Sequence, residues 1–482
     1  MKYQMKTSIL LALIVILALF ILSGCGEKEK SSKSKYNVIL ISIETLRSDH
    51  LGRYGYSRNT SPNIDQLANE AIFFENAYTP WPKTTPSFAA LFTGLYPFKT
   101  GIERIAPQQY LNDRLILLTE ILNEHGFTTE GLNANMVLKD ANFNQGFDRL
   151  QHKNLQAHEL TKIAIKTLKQ LKEKRFLYWV HYKDPHAPYK PLKKYQRIFI
   201  NDHLYKQKVK NVPPDKRKLK LLKGIPEEGI DDYDESRIWS ITRLSVGRGI
   251  KKNALKNAVA QYDAEIKFTD DHIGILLREI KAMGLFKNSI IVLWGDHGES
   301  LGDHDYYFSH GRFPYNTCLK IPLMIYHPKL KPISVKTVVS LVDLFPTLLD
   351  LLGIQGPPVD GESIKNLMPG QEGQVRKRVI YSFAGYAWNY QKIVTDGKWK
   401  LIYIPDLLDR QLLNNVKYEL YDLENDPGET NNLFTTKVEG KYLMKYLSSF
   451  LRDKFKTSIQ KKRRIEYDEK TKKELRSLGY IN

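Results

Sequence analysis

Asp296 and His297 stand side by side in Trp294-Gly295-Asp296-His297-Gly298-Glu299, one hard and one borderline ligand at the end of an apolar run. Flanking glycines leave room for both side chains to face one divalent cation. Glu44 directly follows a second apolar run and adds a carboxylate; by itself it also reads as an acid opposing a helix macrodipole. Thr84, in Pro82-Lys83-Thr84-Thr85-Pro86-Ser87-Phe88, opens a helical pattern. A hydroxyl there has backbone N–H groups beside it that accept an anion, and a metal contact would lower its pKa. The same residue in the same place is also an ordinary N-cap. His181 and Asp184 follow a third apolar run.

Those runs are Asn37 to Ile43, Phe176 to Val180 and Ser289 to Trp294, continuous and β-branched or aromatic, as strands buried on both faces of a parallel sheet are. Helical patterns at 61–70, 115–125, 160–174 and 258–283 alternate with them, which predicts an α/β fold. In open α/β sheets ligands bind beyond the carboxyl ends of the strands, so all three strands would deliver their polar residues to one rim. Asp263, Glu265, Asp270 and Asp271 share one helical segment and read as a solvated face with Lys267 and Arg278. Residues 36–370 form the expected catalytic domain. Within it lies a basic insertion, 190–257, whose first part carries twelve Lys/Arg against two Asp between Lys190 and Lys223. That run is either a solvated surface or a dock for an anionic substrate or a membrane. Residues 371–450 read as a small antiparallel subdomain with a hairpin at Asp396-Gly397, and 451–482 as a basic helical tail.

The chain has 482 residues, 73 Lys+Arg against 53 Asp+Glu, 42% hydrophobic residues and 2 Cys, which excludes a disordered chain, a disulfide miniprotein and a polytopic membrane protein. Its formal charge of +20 suits an anionic partner, but no zinc-finger spacing or aromatic RNA-binding signature accompanies it, so nucleic acid is not expected. Lys2 and Lys6 precede an apolar run from Ile9 to Leu22, too short to span a bilayer of about 30 Å. It ends in Leu22-Ser23-Gly24-Cys25, which resembles a bacterial lipobox. Residues 1–24 then form a signal peptide, Cys25 carries lipid, and 25–35 form a flexible tether, so the protein is exported to the bacterial cell envelope and membrane-anchored. An ordinary cleaved signal or an uncleaved anchor would export it as well.

From Asn37-Val38-Ile39-Leu40-Ile41-Ser42-Ile43-Glu44 through Thr60-Ser61-Pro62-Asn63 and the Thr84 segment, the chain resembles the sulfatase family of the alkaline phosphatase superfamily. The match continues through His181-Tyr182-Lys183-Asp184-Pro185-His186-Ala187-Pro188, Gly295-Asp296-His297-Gly298-Glu299-Ser300, Ser309-His310-Gly311 and Leu341-Val342-Asp343-Leu344-Phe345 to about Leu433. The resemblance implies an alkaline-phosphatase-like sheet, mostly parallel and flanked by helices, with a smaller C-terminal sheet. It implies a metal site of Glu44, Thr84, Asp296 and His297 holding a divalent cation (Mn, Mg, Ca or Zn), with Thr84, His186 and His310 catalytic. Arg47, Lys83, Asn135 and His181 are the candidate substrate contacts.

Two departures qualify this. Family sulfatases oxidise a Cys or Ser to formylglycine within a pattern ending in Pro-x-Arg; here Thr84, Pro86 and Phe88 occupy those places, so no formylglycine is expected. The usual clamping lysine is replaced in the Asn133-Ala134-Asn135 segment, where Asn135 is the substitute polar contact. An unmodified threonine among Glu, Asp and His resembles lipoteichoic acid synthase and the phosphoethanolamine transferases. This implies phosphoester hydrolysis or phospho-transfer on an anionic ester. The alternatives are a sulfuric ester hydrolase acting on sulfated glycans or small esters, and, from another class, a catalytically degenerate lipoprotein that binds anionic glycans. Oligomeric state is not readable.

Overall fold

The computed structural model describes residues 36–103, 110–139, 141–200, 215–222, 252–370, 377–385 and 390–454. The expected signal peptide, the tether with Cys25, most of the basic insertion and the tail beyond residue 454 lie outside the described residues.

The main sheet begins with β1 (Asn37–Ile43) and β2 (Ile72–Tyr78), continues through β3 (Thr128–Asn133), β4 (Arg149–His152), β5 (Phe176–Tyr182) and β6 (Ser289–Gly295), and, beyond a short hairpin of β7 (Ser300–Leu301) with β8 (Tyr307–Ser309), takes in β9 (Lys320–Tyr326), β10 (Ile333–Val335) and β11 (Val339–Ser340). Its spatial order is β10-β2-β9-β6-β1-β5-β3-β4, with β11 also on β2. β9 runs antiparallel to both neighbours, and the other pairs are parallel. The architecture is therefore the mixed, mostly parallel α/β sheet the sequence implies, with β9 as its reversed member.

β1, β5 and β6 are buried along their whole length because side chains alternate between two cores. Val38, Leu40, Trp179, Val292 and Trp294 face one core with Phe88, Leu91 and Phe92 of a helix that starts at Thr84. Ile39, Ile41, Tyr178, Val180, Ile291 and Leu293 face the other, beneath helices α1 (Pro62–Glu70), α3 (Ala157–Leu171) and α4 (Lys252–Ala282); the helix from Thr84 to Thr93 is α2. In the register, Ser42 pairs with both His181 and Trp294, and Ile43 with both Tyr182 and Gly295. Three adjacent strands thus end at one level. Glu44 N–H donates to Tyr182 O at 2.9 Å and Asp296 N–H to Ile43 O at 3.2 Å, which extends the pairing to the residues that carry the chemistry.

Three of the four acids expected on a solvated face of α4 are buried instead. Asp263 is buried and accepts from Tyr56 and Arg58 at 2.7 and 2.6 Å while lying 2.6 Å from His50 Nδ1; Asp270 is buried against the start of α1, accepting from Asn63 and Ile64 N–H at 3.0 and 2.8 Å. Glu265 is buried and accepts from Lys190 N–H at 2.8 Å. Of the four acids, Asp271 alone makes the expected i,i+4 pair with Lys267. Helical periodicity shows which residues share a face but not that a loop folds over it.

A second sheet, β12 (Ile380–Ala384), β13 (Gln391–Thr395), β14 (Trp399–Tyr403) and β15 (Tyr418–Asp422), is antiparallel in that order and packs on α5 (Glu439–Lys454). β13 and β14 meet across Asp396-Gly397, where Gly397 has φ 95°. Ser382 Oγ and Phe383 N–H donate to Thr79 O and Pro80 O, both at 2.8 Å, clasping this sheet to the segment that leads into Thr84.

The seam is closed by a buried ion pair, Lys400 Nζ to Glu429 Oε1 at 2.6 Å, with Asn316 bonded to both partners. Replacing Lys400 by Met strands a buried carboxylate, and equilibrium unfolding in urea is expected to show a loss of about 3–5 kcal/mol.

Candidate active site

At the common rim the fold gathers Glu44 from the end of β1, His181 from β5, Asp296 and His297 from the end of β6, Thr84 from the first turn of α2, and Asn135 from beyond β3. All six are essentially inaccessible to solvent. Thr84 Oγ1 donates to Glu44 Oε1 at 3.1 Å and lies 3.3 Å from His297 Nε2. The capping reading of Thr84 falls: Lys83 occupies the N-cap position, and the hydroxyl points to side chains instead of the helix backbone. Ser87 Oγ donates to Asp296 O at 2.7 Å and so fixes the height of α2 against β6.

Local hydrogen bonds set the protonation of the ring nitrogens. His297 Nδ1 lies 2.8 Å from Gly298 O and His186 Nδ1 lies 2.6 Å from Ala187 O. A carbonyl can only accept, so both rings carry a proton on Nδ1. Burial also lowers the His297 pKa, which keeps that ring neutral. His186 Nε2 is 3.9 Å from Glu44 Oε1. His181 Nδ1 lies 2.9 Å from Ser42 Oγ, which in turn accepts from Trp179 Nε1 at 2.9 Å. Its Nε2 sits 3.7 Å from Glu44 Oε2.

Glu44, His181 and Asp296 each offer a ligand atom within 4.8 Å of the other two. Asp296 Oδ1 accepts from Thr45 and His297 N–H at 3.0 and 2.8 Å, while Asp296 Oδ2 and His181 Nε2 are buried with no hydrogen bond. Burial, then repulsion from Glu44, pushes the Asp296 pKa up to about 8. Two buried carboxylates beside imidazole lone pairs are a donor set that fits a divalent cation, since a cation would satisfy the orphaned atoms and remove the repulsion.

His310 lies on the other side of His297, ring centroids 4.3 Å apart, with His186 at 5.5 Å. Burial, followed by His297, His186 and Lys83, holds its pKa well below the usual range. Lys83 is buried, and its stem lies so close under Gly311 that a Cβ there would collide with Lys83 Cε. Asn135 Nδ2 donates to Glu44 Oε1, and its Oδ1 accepts from Val137 N–H at 2.8 Å, so the side chain is spent on holding the carboxylate.

Arg47 is a correction. Its guanidinium pairs with Asp49 at 2.8 Å and Asp303 at 2.7 Å and donates to Glu299 O at 3.1 Å. Two carboxylates and a backbone carbonyl engage its donors, so it braces the loop after β6 in place of the substrate contact expected of it. Sequence reading also passed over two residues. Thr45 adopts φ 52°, turns its N–H to Asp296 and leaves its Oγ1 buried without a hydrogen bond. Glu299 lies 3.1 Å from His310 Nδ1 through Oε1. Thr45 directly follows Glu44, and Glu299 lies two residues after His297 in the same short motif; that nearness was the available signal.

Comparison with known proteins gives a consistent picture. The family described as Sulfatase matches residues 36–354, and one described as N-sulphoglucosamine sulphohydrolase, C-terminal, matches 302–457. An N-acetylglucosamine-6-O-sulfatase of Bacteroides thetaiotaomicron is 26% identical over 88% of this chain and 87% of its own length. An arylsulfatase of Clostridium perfringens is 26% identical over 86% of this chain and 94% of its own. A phosphonate monoester hydrolase of Agrobacterium radiobacter shares the fold with a TM-score of 0.69 at 18% identity, covering 90% of this chain and 98% of that one.

Two outcomes follow for metal binding, both measured on chelator-stripped protein by elemental analysis and calorimetric titration. Asp296→Asn is expected to lose stoichiometric divalent metal, and Ser42→Ala to weaken it by about 10–100-fold through the loosened His181 ring. Because the free Asp296 carboxyl holds a proton up to about pH 8, metal must displace it, so affinity is expected to rise with pH toward that value and binding to release protons to the buffer.

Proposed function

The chain belongs to the sulfatase family, whose members hydrolyse esters of tetrahedral oxyanions, and on that premise we propose that it acts on a phosphorus ester with Thr84 as the nucleophile. The observation that carries this reading is the Thr84 hydroxyl, 3.1 Å from Glu44 Oε1 and 3.3 Å from His297 Nε2. A threonine side chain supplies one oxygen nucleophile. It lacks the geminal hydroxyl with which formylglycine ejects sulfate, so a covalent threonine ester is better released from phosphorus.

In the first half-reaction Thr84 Oγ forms its bond to phosphorus in line with the ester oxygen, whose bond breaks. Glu44 accepts the hydroxyl's hydrogen bond and orients Oγ. The proton that Thr84 Oγ gives up passes to the departing oxygen, and the rings of His186 and His310 are placed to relay it. Lys83 adds positive charge beside His310 and balances the anionic ester. A divalent cation held by Glu44, Asp296 and His297, with His181 as a further ligand, would supply charge neutralisation on the non-bridging oxygens when bound. Water, or an acceptor hydroxyl in a transferase, then releases the threonine ester.

The names of the relatives favour a second reading, sulfate-ester hydrolysis on glycans, since similar proteins are described as an N-acetylglucosamine-6-O-sulfatase and an arylsulfatase. Absence of Cys or Ser at position 84 and of Arg at position 88 weighs against it. Export and lipid attachment at Cys25 complete the proposal; they rest on the N-terminal residues alone.

Matched aryl phosphate mono- and diesters, an aryl phosphonate and an aryl sulfate separate the two readings. Turnover of a phosphorus ester at least tenfold above the sulfate, falling about 10³-fold or more in Thr84→Ala, is the expected result. Dominant sulfate turnover that depends on Thr84 would replace the first reading by the second.

A further inference from the structure

His297, His310 and His186 lie side by side, the His310 ring centroid 4.3 Å from that of His297 and 5.5 Å from that of His186, and their Nδ1 partners differ in kind. His297 and His186 each turn Nδ1 to a neutral backbone carbonyl, whereas His310 Nδ1 lies 3.1 Å from the Glu299 carboxylate. A carbonyl fixes a tautomer. A carboxylate fixes the tautomer and also stabilises the imidazolium that forms when the ring gains a proton. Of the three rings, His310 is therefore the one built to carry a proton transiently.

Glu299 is itself gripped on several sides. It is 1% exposed, its Oε2 accepts from Tyr189 OH at 3.3 Å, and its backbone carbonyl accepts from Arg47 at 3.1 Å. Arg47 is anchored in turn by Asp49 and Asp303. A buried carboxylate is costly to keep, and this one is held with an oxygen against a histidine one ring away from His297, whose Nε2 faces Thr84.

We propose that Glu299 is a positioning residue that holds His310 with its proton on Nδ1 and its Nε2 lone pair toward the bound ester, so that His310 is the base that releases the threonine ester. The inference rests on the Thr84 reading above and assigns its second half-reaction. There, the oxygen of water, or of an acceptor hydroxyl, bonds to phosphorus as the Thr84 Oγ–phosphorus bond breaks. One proton passes from the attacking oxygen to His310 Nε2 and is returned to Thr84 Oγ. His310 ends in the tautomer in which it began.

The test is rapid-quench kinetics on the metal-loaded full chain with the aryl phosphorus ester that the wild type cleaves fastest, following aryl alcohol release and the intact protein mass. Glu299→Gln is expected to release a burst of aryl alcohol near one equivalent per enzyme and then turn over about 10²-fold more slowly than wild type. Protein one phosphoryl group heavier at Thr84 should accumulate, and KM should fall together with kcat. His310→Asn should behave alike, and the double variant should be no slower than His310→Asn alone. Tyr189→Phe, which removes only the hydroxyl on Oε2, should show the same signature at about three- to tenfold, and it decides the matter if Glu299→Gln does not fold. An unchanged steady-state rate in folded Glu299→Gln, or burst and turnover falling together with no adduct, would overturn the assignment. Full activity in Thr84→Ala would instead remove the premise, whatever Glu299 does.

Discussion

Two carboxylates, Glu44 and Asp296, are carried to adjacent strand ends and withdrawn fully from water. Left to themselves they repel one another, and the rise of the Asp296 pKa records that cost. Much of what surrounds them can be understood as what makes such a pair tolerable. Thr45 and His297 N–H groups hold one oxygen of Asp296, Asn135 and Thr84 hold Glu44, and imidazole lone pairs complete a donor set matched to a divalent charge.

The same constraint explains the division of labour in the fold. Each functional side chain is held by a neighbour that does no chemistry: Ser42 and Trp179 behind His181, Ser87 between α2 and Asp296, Arg47 behind Glu299. Parallel strands supply the precision, because their register places Glu44 and Asp296 at one level without a loop having to be ordered. The second sheet contributes by clasping Thr79 and Pro80, just before the nucleophile. A helix start held from both directions is a rigid place for a hydroxyl that must meet an ester in line.

The legible part of the site was the part that lies near strand ends in a short motif. Glu44, Thr84, Asp296 and His297 could be found because apolar runs announce buried strands and because their neighbours repeat a family pattern. Arg47 was misread: its neighbour Asp49 is visible in the chain, but Asp303 lies 256 residues away and its approach is a matter of folding. The acids of α4 were misread for the same reason, since the groups that bury Asp263 come from residues 50–58. His181 was read as a substrate contact, and the approach of its Nε2 to Glu44 emerges only when β5 is laid beside β1.

What the amino-acid order determined by itself was the class of fold, the family, and the chemical types gathered at the rim, because strand hydrophobicity, turn residues and local motifs are all short-range properties of a chain. Tertiary structure alone decided which atoms face one another: the tautomers of His297 and His186, the orphaned oxygen of Asp296, and the carboxylate behind His310. Those depend on contacts between residues far apart in sequence, and at van der Waals distance a shift of about one ångström changes which group donates, which accepts and which is left for a ligand.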